Sequence, residues 1–113
     1  MADLLIDTDV CIDHLEGVAR LQGRRSTLAY SVVTRAELLA GPDEQHGAAR
    51  RLLAPLREIV IDRRVAERAG ALRREAGLRL PDALVAATAL VHHLTLHTRN
   101  HGDFRKVAGL RLR

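Results

Sequence analysis

A short apolar run at residues 4–6 leads directly into the acidic segment Asp7-Thr8-Asp9. Apolar residues without polar alternation are typical of a strand that is buried on both faces, as in the centre of a parallel sheet. In doubly wound sheets, ligands bind in the crevice outside the carboxyl ends of the strands. Burying an unpaired carboxylate is costly, so Asp7 either lies where the strand emerges into water or faces a cation.

Strand-like runs alternate with helix-like segments along the whole chain. Further strands are predicted at residues 28–33, 59–61 and 94–98, with a short fifth strand at 110–112. The segment 81–93 is almost wholly apolar, which predicts a buried helix. This order predicts an α/β fold, a three-layer α/β/α sandwich around a mostly parallel central sheet of four to five strands. We expect residues 1–113 to form one domain.

Local signals predict how two of the helices begin. Thr8 or Asp9 is expected to cap the helix that follows the first strand. Glu37 follows Thr34 by three residues, the capping-box spacing, which predicts a helix that opens at Thr34 with Glu37 in its first turn. The pair at residues 41–42, Gly-Pro, is expected to end that helix.

Composition restricts the environment and the partners of the chain. Cys11 is its one cysteine, which excludes an intramolecular disulfide and fits a reducing cytoplasm. No apolar run reaches membrane-spanning length, so no membrane role is expected. The net charge of +4 favours a polyanionic partner such as nucleic acid, although a compositional preference for arginine explains it equally well.

Four acidic residues fall at strand carboxyl ends or helix amino ends in this layout: Asp7, Glu37, Asp82 and Asp103. In a parallel sheet those ends share one edge, so the carboxylates are expected to converge and to raise one another's pKa values unless cations lie among them. Oxygen ligands suit Mg²⁺ or Mn²⁺ rather than zinc. Such ions are typical of phosphodiester hydrolysis. Each acid also has a purely structural explanation, such as capping or the helix dipole, and only the shared position argues for a site.

Four segments together resemble a PIN domain of the VapC toxin type: residues 5–9, 31–41, 80–89 and 98–104. They occur in the order found in that family and extend over nearly the whole chain. The resemblance implies a metal-dependent endoribonuclease that is the toxin of a type II toxin–antitoxin pair. It also implies that Asp7, Glu37 and Asp82 bind Mg²⁺ or Mn²⁺, with Asp103 as the fourth acid.

The resemblance further implies partners and helper residues. The expected partners are an RNA substrate, a cognate VapB-like antitoxin protein and a second copy of the chain in a homodimer. The antitoxin is expected to cover the site, with an arginine placed among the acids. Residues expected to orient the ligands or water are Thr8, Asp9, Thr98 and Asn100, and those expected to contact RNA phosphates are Arg35 and Arg99.

Three other functions remain open at this point. A phosphatase of the haloacid dehalogenase type also places Asp-x-Asp after a strand, but its required lysine has no match because Lys106 comes too late. A receiver-like domain needs an acceptor aspartate with acidic neighbours after a middle strand, and Asp62 has none there. The main alternative is a catalytically degenerate PIN domain that acts only as a protein-binding module.

Overall fold

The computed structural model describes residues 2–113, in which four parallel strands form one sheet. The strands lie in the spatial order β3-β2-β1-β4, and all three pairings are parallel. Their carboxyl ends therefore meet at one edge, as the sequence predicts. The strands are β1 (Leu4–Ile6), β2 (Leu28–Ser31), β3 (Arg57–Ile59) and β4 (Thr95–His97).

Helices cover both faces of this sheet. Successive residues of a strand point to opposite faces, so Leu5 joins one apolar cluster and Ile6 joins the other. The three-layer α/β/α sandwich is thus confirmed. The α-helices among residues 2–113 are α1 (Thr8–Leu15), α2 (Val32–Leu39), α3 (His46–Leu53), α4 (Arg63–Ala76), α5 (Leu80–Val91) and α6 (His101–Phe104). Short 3₁₀ turns lie at Arg25–Thr27 and Asp43–Gln45.

Helix α5 is the central element of one layer. Its residues 85–89 and Ala83 are buried, and it packs along α4. This agrees with the nearly continuous apolar sequence of the segment, because a helix without a polar face must be covered on all sides. Burial of α5 fixes its amino end, and with it Asp82, against the sheet edge.

The start of α2 differs from the prediction. The helix begins at Val32, and Ser31 caps it by accepting a hydrogen bond from Val33 N at 3.1 Å. The predicted second strand is therefore shorter, and Thr34 with Glu37 does not form a capping box. Glu37 lies in the second turn of α2 instead of the first. The prediction was wrong because Ser31 is an earlier cap, and it outweighs the strand preference of the two valines.

Other boundaries also shift. Asp7, and not Thr8 or Asp9, caps α1, since its side chain accepts from Thr8 N. Strand β3 spans Arg57–Ile59 and overlaps the predicted 59–61 only at Ile59, because its register is set by pairing with β2 at the sheet edge. The predicted fifth strand is reduced to a single parallel bridge between Leu96 and Leu112. Within residues 2–113, no helix is both long and apolar enough to cross a membrane.

Candidate active site

An open cleft of about 340 Å³ lies at the carboxyl edge of the sheet. It collects all four of the predicted acids, although they come from separate parts of the chain. Asp7 follows β1, Glu37 lies on α2, Asp82 lies in the first turn of α5 and Asp103 lies on α6. The cleft is also lined by Thr8, Asp9, Ile12, Arg79 and Asn100.

Asp7 is the most deeply placed of these acids, with only 8% of its surface exposed. Its Oδ1 accepts a hydrogen bond from Thr8 N at 2.8 Å, and its Oδ2 accepts one from Thr98 Oγ1 at 2.8 Å. Burial, with a smaller contribution from the neighbouring charge of Asp9, raises the pKa of Asp7 to about 6 against the opposing effect of the Thr98 hydrogen bond. The carboxylate is thus held in one orientation while its charge remains only partly compensated.

Asp9 presents a carboxylate oxygen without a donor. Its Oδ2 accepts from Arg99 N at 3.0 Å and lies 3.3 Å from Thr98 Oγ1. Its Oδ1 is buried and accepts no hydrogen bond from any of residues 2–113. A buried polar atom without a partner is uncommon and favours a ligand at that position. For a carboxylate oxygen, such a ligand would be a cation.

Glu37 reaches the same cleft from α2. Its Oε1 lies 2.6 Å from the hydroxyl of Thr8, which is itself 2.9 Å from the hydroxyl of Thr34. The Glu37 side chain is otherwise exposed. The second turn of α2 therefore contributes Glu37 to the cleft, although Glu37 does not have its predicted capping role.

Asp82 and Asp103 complete the acidic lining. Burial raises the pKa of Asp82, Arg79 opposes this, and the charges of Glu37, Asp103 and Asp9 raise it further. Asp103 is exposed, and its Oδ2 accepts a hydrogen bond from Asn100 Nδ2 at 3.0 Å. The acids therefore repel one another across the cleft, as expected of a site with too little positive charge of its own.

The chemistry of the donor set fits a hard divalent cation. The available ligands are carboxylate oxygens, the atoms that Mg²⁺ and Mn²⁺ prefer. The acids share the cleft without forming a closed coordination shell, and no three acidic, histidine or cysteine side chains of residues 2–113 are gathered tightly enough to be a finished metal site. Both oxygens of Asp7 and Oε1 of Glu37 instead accept the hydrogen bonds described above.

The two predicted arginines differ in position. Arg35 lies away from the acids, because its guanidinium pairs with Glu58 and donates to Tyr30 Oη at 2.7 Å. Its placement beside the site was wrong, because Tyr30 and Glu58 are paired across β2 and β3 and Arg35 binds both of their side chains. Arg99 lies beside the cleft, with Nε 3.1 Å from the buried carboxylate of Asp13.

Three residues of the site region were missed by the sequence analysis: Asp13, Thr34 and Arg79. Arg79 immediately precedes α5 and lines the cleft. Its position three residues before Asp82 was a usable signal, because that spacing at a helix start places two side chains near each other. Thr34 was interpreted only as a cap, and nothing in the local sequence indicates that it contacts Thr8, which lies 26 residues earlier.

Comparison with known proteins gives the family. The family model described as PIN domain matches residues 4–110. Ribonuclease VapC10 from Mycobacterium tuberculosis is 37% identical, with 89% of this chain and 85% of that protein covered. A toxin–antitoxin complex from Klebsiella pneumoniae matches with a TM-score of 0.80 and 35% identity over 96% of this chain and 95% of the other.

A DNA-bound VapBC from Salmonella typhimurium shares the fold, with a TM-score of 0.90 at 22% identity over 100% of this chain and 98% of the other. The phosphatase and receiver alternatives are therefore not retained. The fold, the matched length and the identity together show that this chain belongs to the PIN-domain family.

Proposed function

We propose that this chain is a Mg²⁺- or Mn²⁺-dependent endoribonuclease toxin whose activity is blocked by an antitoxin protein. Its identity to a protein named Ribonuclease VapC10 and its likeness to a toxin–antitoxin complex support the proposal. The observation that carries it is the acidic lining of one cleft by Asp7, directly after β1, and by acids of the four helices α1, α2, α5 and α6. A cluster of like charges is costly to maintain, which favours a role in binding a cation.

In this proposal Asp7, Glu37 and Asp82 hold the ion, and Asp103 contributes from the rim. When bound, a divalent ion supplies Lewis acidity, which lowers the pKa of water and offsets negative charge on the phosphate. The chain itself supplies orientation. Thr98 and the backbone N of Thr8 fix both oxygens of Asp7, so this ligand loses little conformational freedom when the site fills.

The cationic residues beside the cleft are the proposed contacts for the RNA backbone. Arg79 lines the cleft and forms no ion pair with any of residues 2–113. Arg99 is anchored by Asp13, and 61% of its side chain is exposed. In this proposal both guanidiniums neutralise phosphates that flank the cut bond.

Base stacking contributes little in this proposal. The two aromatic residues of the chain, Tyr30 and Phe104, are both buried, with 1% and 0% exposure. Stacking platforms for unpaired bases require exposed aromatic faces. Recognition of RNA therefore depends on its shape and backbone.

An apolar groove beside the cleft is the proposed place of antitoxin contact. The groove shares Ile12 and Glu37 with the acidic cleft and continues over Leu15, Leu38 and Ala49. An apolar antitoxin segment seated there would bring an adjoining arginine among the carboxylates, where its charge replaces that of the ion.

The predicted homodimer and the cytoplasmic location stay predictions.

The proposal is tested with purified protein, total RNA and Mn²⁺ or Mg²⁺. We expect cleavage that stops with EDTA and in Asp82→Ala, and that continues in Asp43→Ala, since Asp43 is an exposed carboxylate outside the cleft. Cleavage that survives EDTA or Asp82→Ala would contradict the proposal. A protein that binds its antitoxin but neither Mn²⁺ nor RNA would be the protein-binding module considered above.

A further inference from the structure

A buried pair of hydroxyl groups lies behind Glu37. Thr34 is 0% exposed, and its Oγ1 is 2.9 Å from Thr8 Oγ1, which is 2.6 Å from Glu37 Oε1. Thr8 has one hydroxyl proton, and a carboxylate is a stronger acceptor than a hydroxyl. Thr8 therefore donates to Glu37 and accepts from Thr34, so that the three groups form a directed chain.

Another buried threonine shows the ordinary alternative. Thr88 on α5 is also 0% exposed, and its hydroxyl donates to Leu84 O of its own helix at 2.7 Å. Such a bond to the preceding turn satisfies a threonine within a helix without involving any other element. Thr34 uses its hydroxyl differently, because its partner lies on α1.

We propose that Thr34 is a positioning residue that orients Glu37 through Thr8. A glutamate side chain loses substantial rotamer freedom when it is fixed, so an exposed Glu37 without support would sample several orientations. The hydroxyl chain holds Oε1 and leaves Oε2 available as a ligand. The consequence for cation binding depends on the function proposed above, whereas the ordering of Glu37 does not.

Two substitutions at Thr34 separate this role from a role in packing. Thr34→Val keeps the shape and removes the hydroxyl, while Thr34→Ser keeps the hydroxyl and removes a buried methyl group. We expect Thr34→Val to weaken Mn²⁺ binding, measured by calorimetry, by about three- to tenfold, the range for the loss of one net hydrogen bond. Thr34→Ser should bind Mn²⁺ within about twofold of the wild type but melt at a lower temperature, because it leaves a cavity.

The matched control is Thr88→Val, the same change at an equally buried threonine outside the cleft. Its Mn²⁺ affinity should equal that of the wild type. In a Thr8→Val background the chain is already broken, so adding Thr34→Val should weaken binding no further.

A readout that needs no metal completes the test. Side-chain scalar couplings measured by NMR report whether Glu37 occupies one rotamer or averages over several. We expect a single rotamer in the wild type, Thr34→Ser and Thr88→Val, and averaging in Thr34→Val.

The inference is overturned if Glu37 keeps one rotamer in Thr34→Val, or if Thr34→Ser loses as much Mn²⁺ affinity as Thr34→Val. A wild type that binds no Mn²⁺ would overturn the proposed function instead, and the Glu37 couplings would still decide the positioning role.

Discussion

At the scale of one residue, Asp7 shows how a buried carboxylate in the site affects the stability of the fold. The carboxyl group is almost fully buried, and its pKa is raised from 3.8 to about 6, chiefly by burial. A folded-state pKa above the unfolded value means that the proton binds more tightly in the folded state. The stabilisation from this group is therefore fully present below pH 3.8 and is lost as the pH rises through about 6.

The first prediction follows from the raised pKa of Asp7 in the folded state. At pH 7.5 and without metal, Asp7→Asn should raise the free energy of unfolding by about 1–3 kcal/mol, because each pKa unit corresponds to about 1.4 kcal/mol. The gain should vanish near pH 3, where the wild-type carboxyl group is protonated in both states. Urea unfolding at the two pH values measures it, with Asp43→Asn as an exposed control. An Asp7→Asn protein that is less stable at pH 7.5 would contradict this account of the site.

The sequence alone could predict the position of acids that lie at the carboxyl edge of the sheet. Asp7 follows a strand, and Asp82 and Asp103 lie at the amino ends of helices, so a parallel sheet is enough to bring them to one cleft. Arg35 could not be placed in this way, because its direction depends on the rotation of α2 about its axis. The Thr34–Thr8 contact was likewise out of reach, since it joins two side chains 26 residues apart on different helices.

At the scale of elements, the α2 start is the clearest difference between expectation and structure. Periodicity predicted that a strand is followed by a helix, and both exist. The boundary was wrong by two residues, because Val32 and Val33 favour a strand by themselves and the capping serine before them starts a helix instead. Three-residue strands such as β3 are set by pairing with a neighbour, which the local sequence does not contain.

The second prediction concerns that serine. Ser31→Ala removes the hydrogen bond to Val33 N and should lower the free energy of unfolding by about 1 kcal/mol. Denaturant melting measures the loss, and Ser26→Ala, an exposed serine outside the α-helices, should cause none. If Ser31→Ala were neutral, the Ser31 side chain would not be the cap that stabilises the start of α2.

At the scale of the whole molecule, a basic chain surrounds an acidic cleft. The net charge of +4 is spread over many arginines, while burial, together with the charges of neighbouring acids, raises the pKa values of Asp7 and Asp82. In the function proposed above, the net positive charge attracts a polyanion over long distances and the acidic cleft binds a cation. The acidic cleft arises from the parallel order of the four strands, because this order places the carboxyl end of every strand on the same side.

The third prediction tests which arginines serve RNA. Measured in EDTA, so that no cleavage occurs, Arg79→Ala should weaken RNA binding and lower the slope of affinity against salt by about 0.7–0.9 for one lost phosphate contact. Arg35→Ala is the matched control, because Arg35 is engaged with Glu58 and Tyr30 and should leave the slope unchanged. Equal effects of the two variants would mean that RNA binding depends on total charge and not on the cleft.

In the proposed function, acids from separate elements form one site for a divalent ion. Anomalous scattering at the manganese edge, from crystals grown with Mn²⁺, locates such an ion. We expect a peak within the cleft, bordered by Asp7, Glu37 and Asp82, that disappears in Asp7→Asn. A structure with Mn²⁺ at saturating concentration and no peak in this cleft would contradict it.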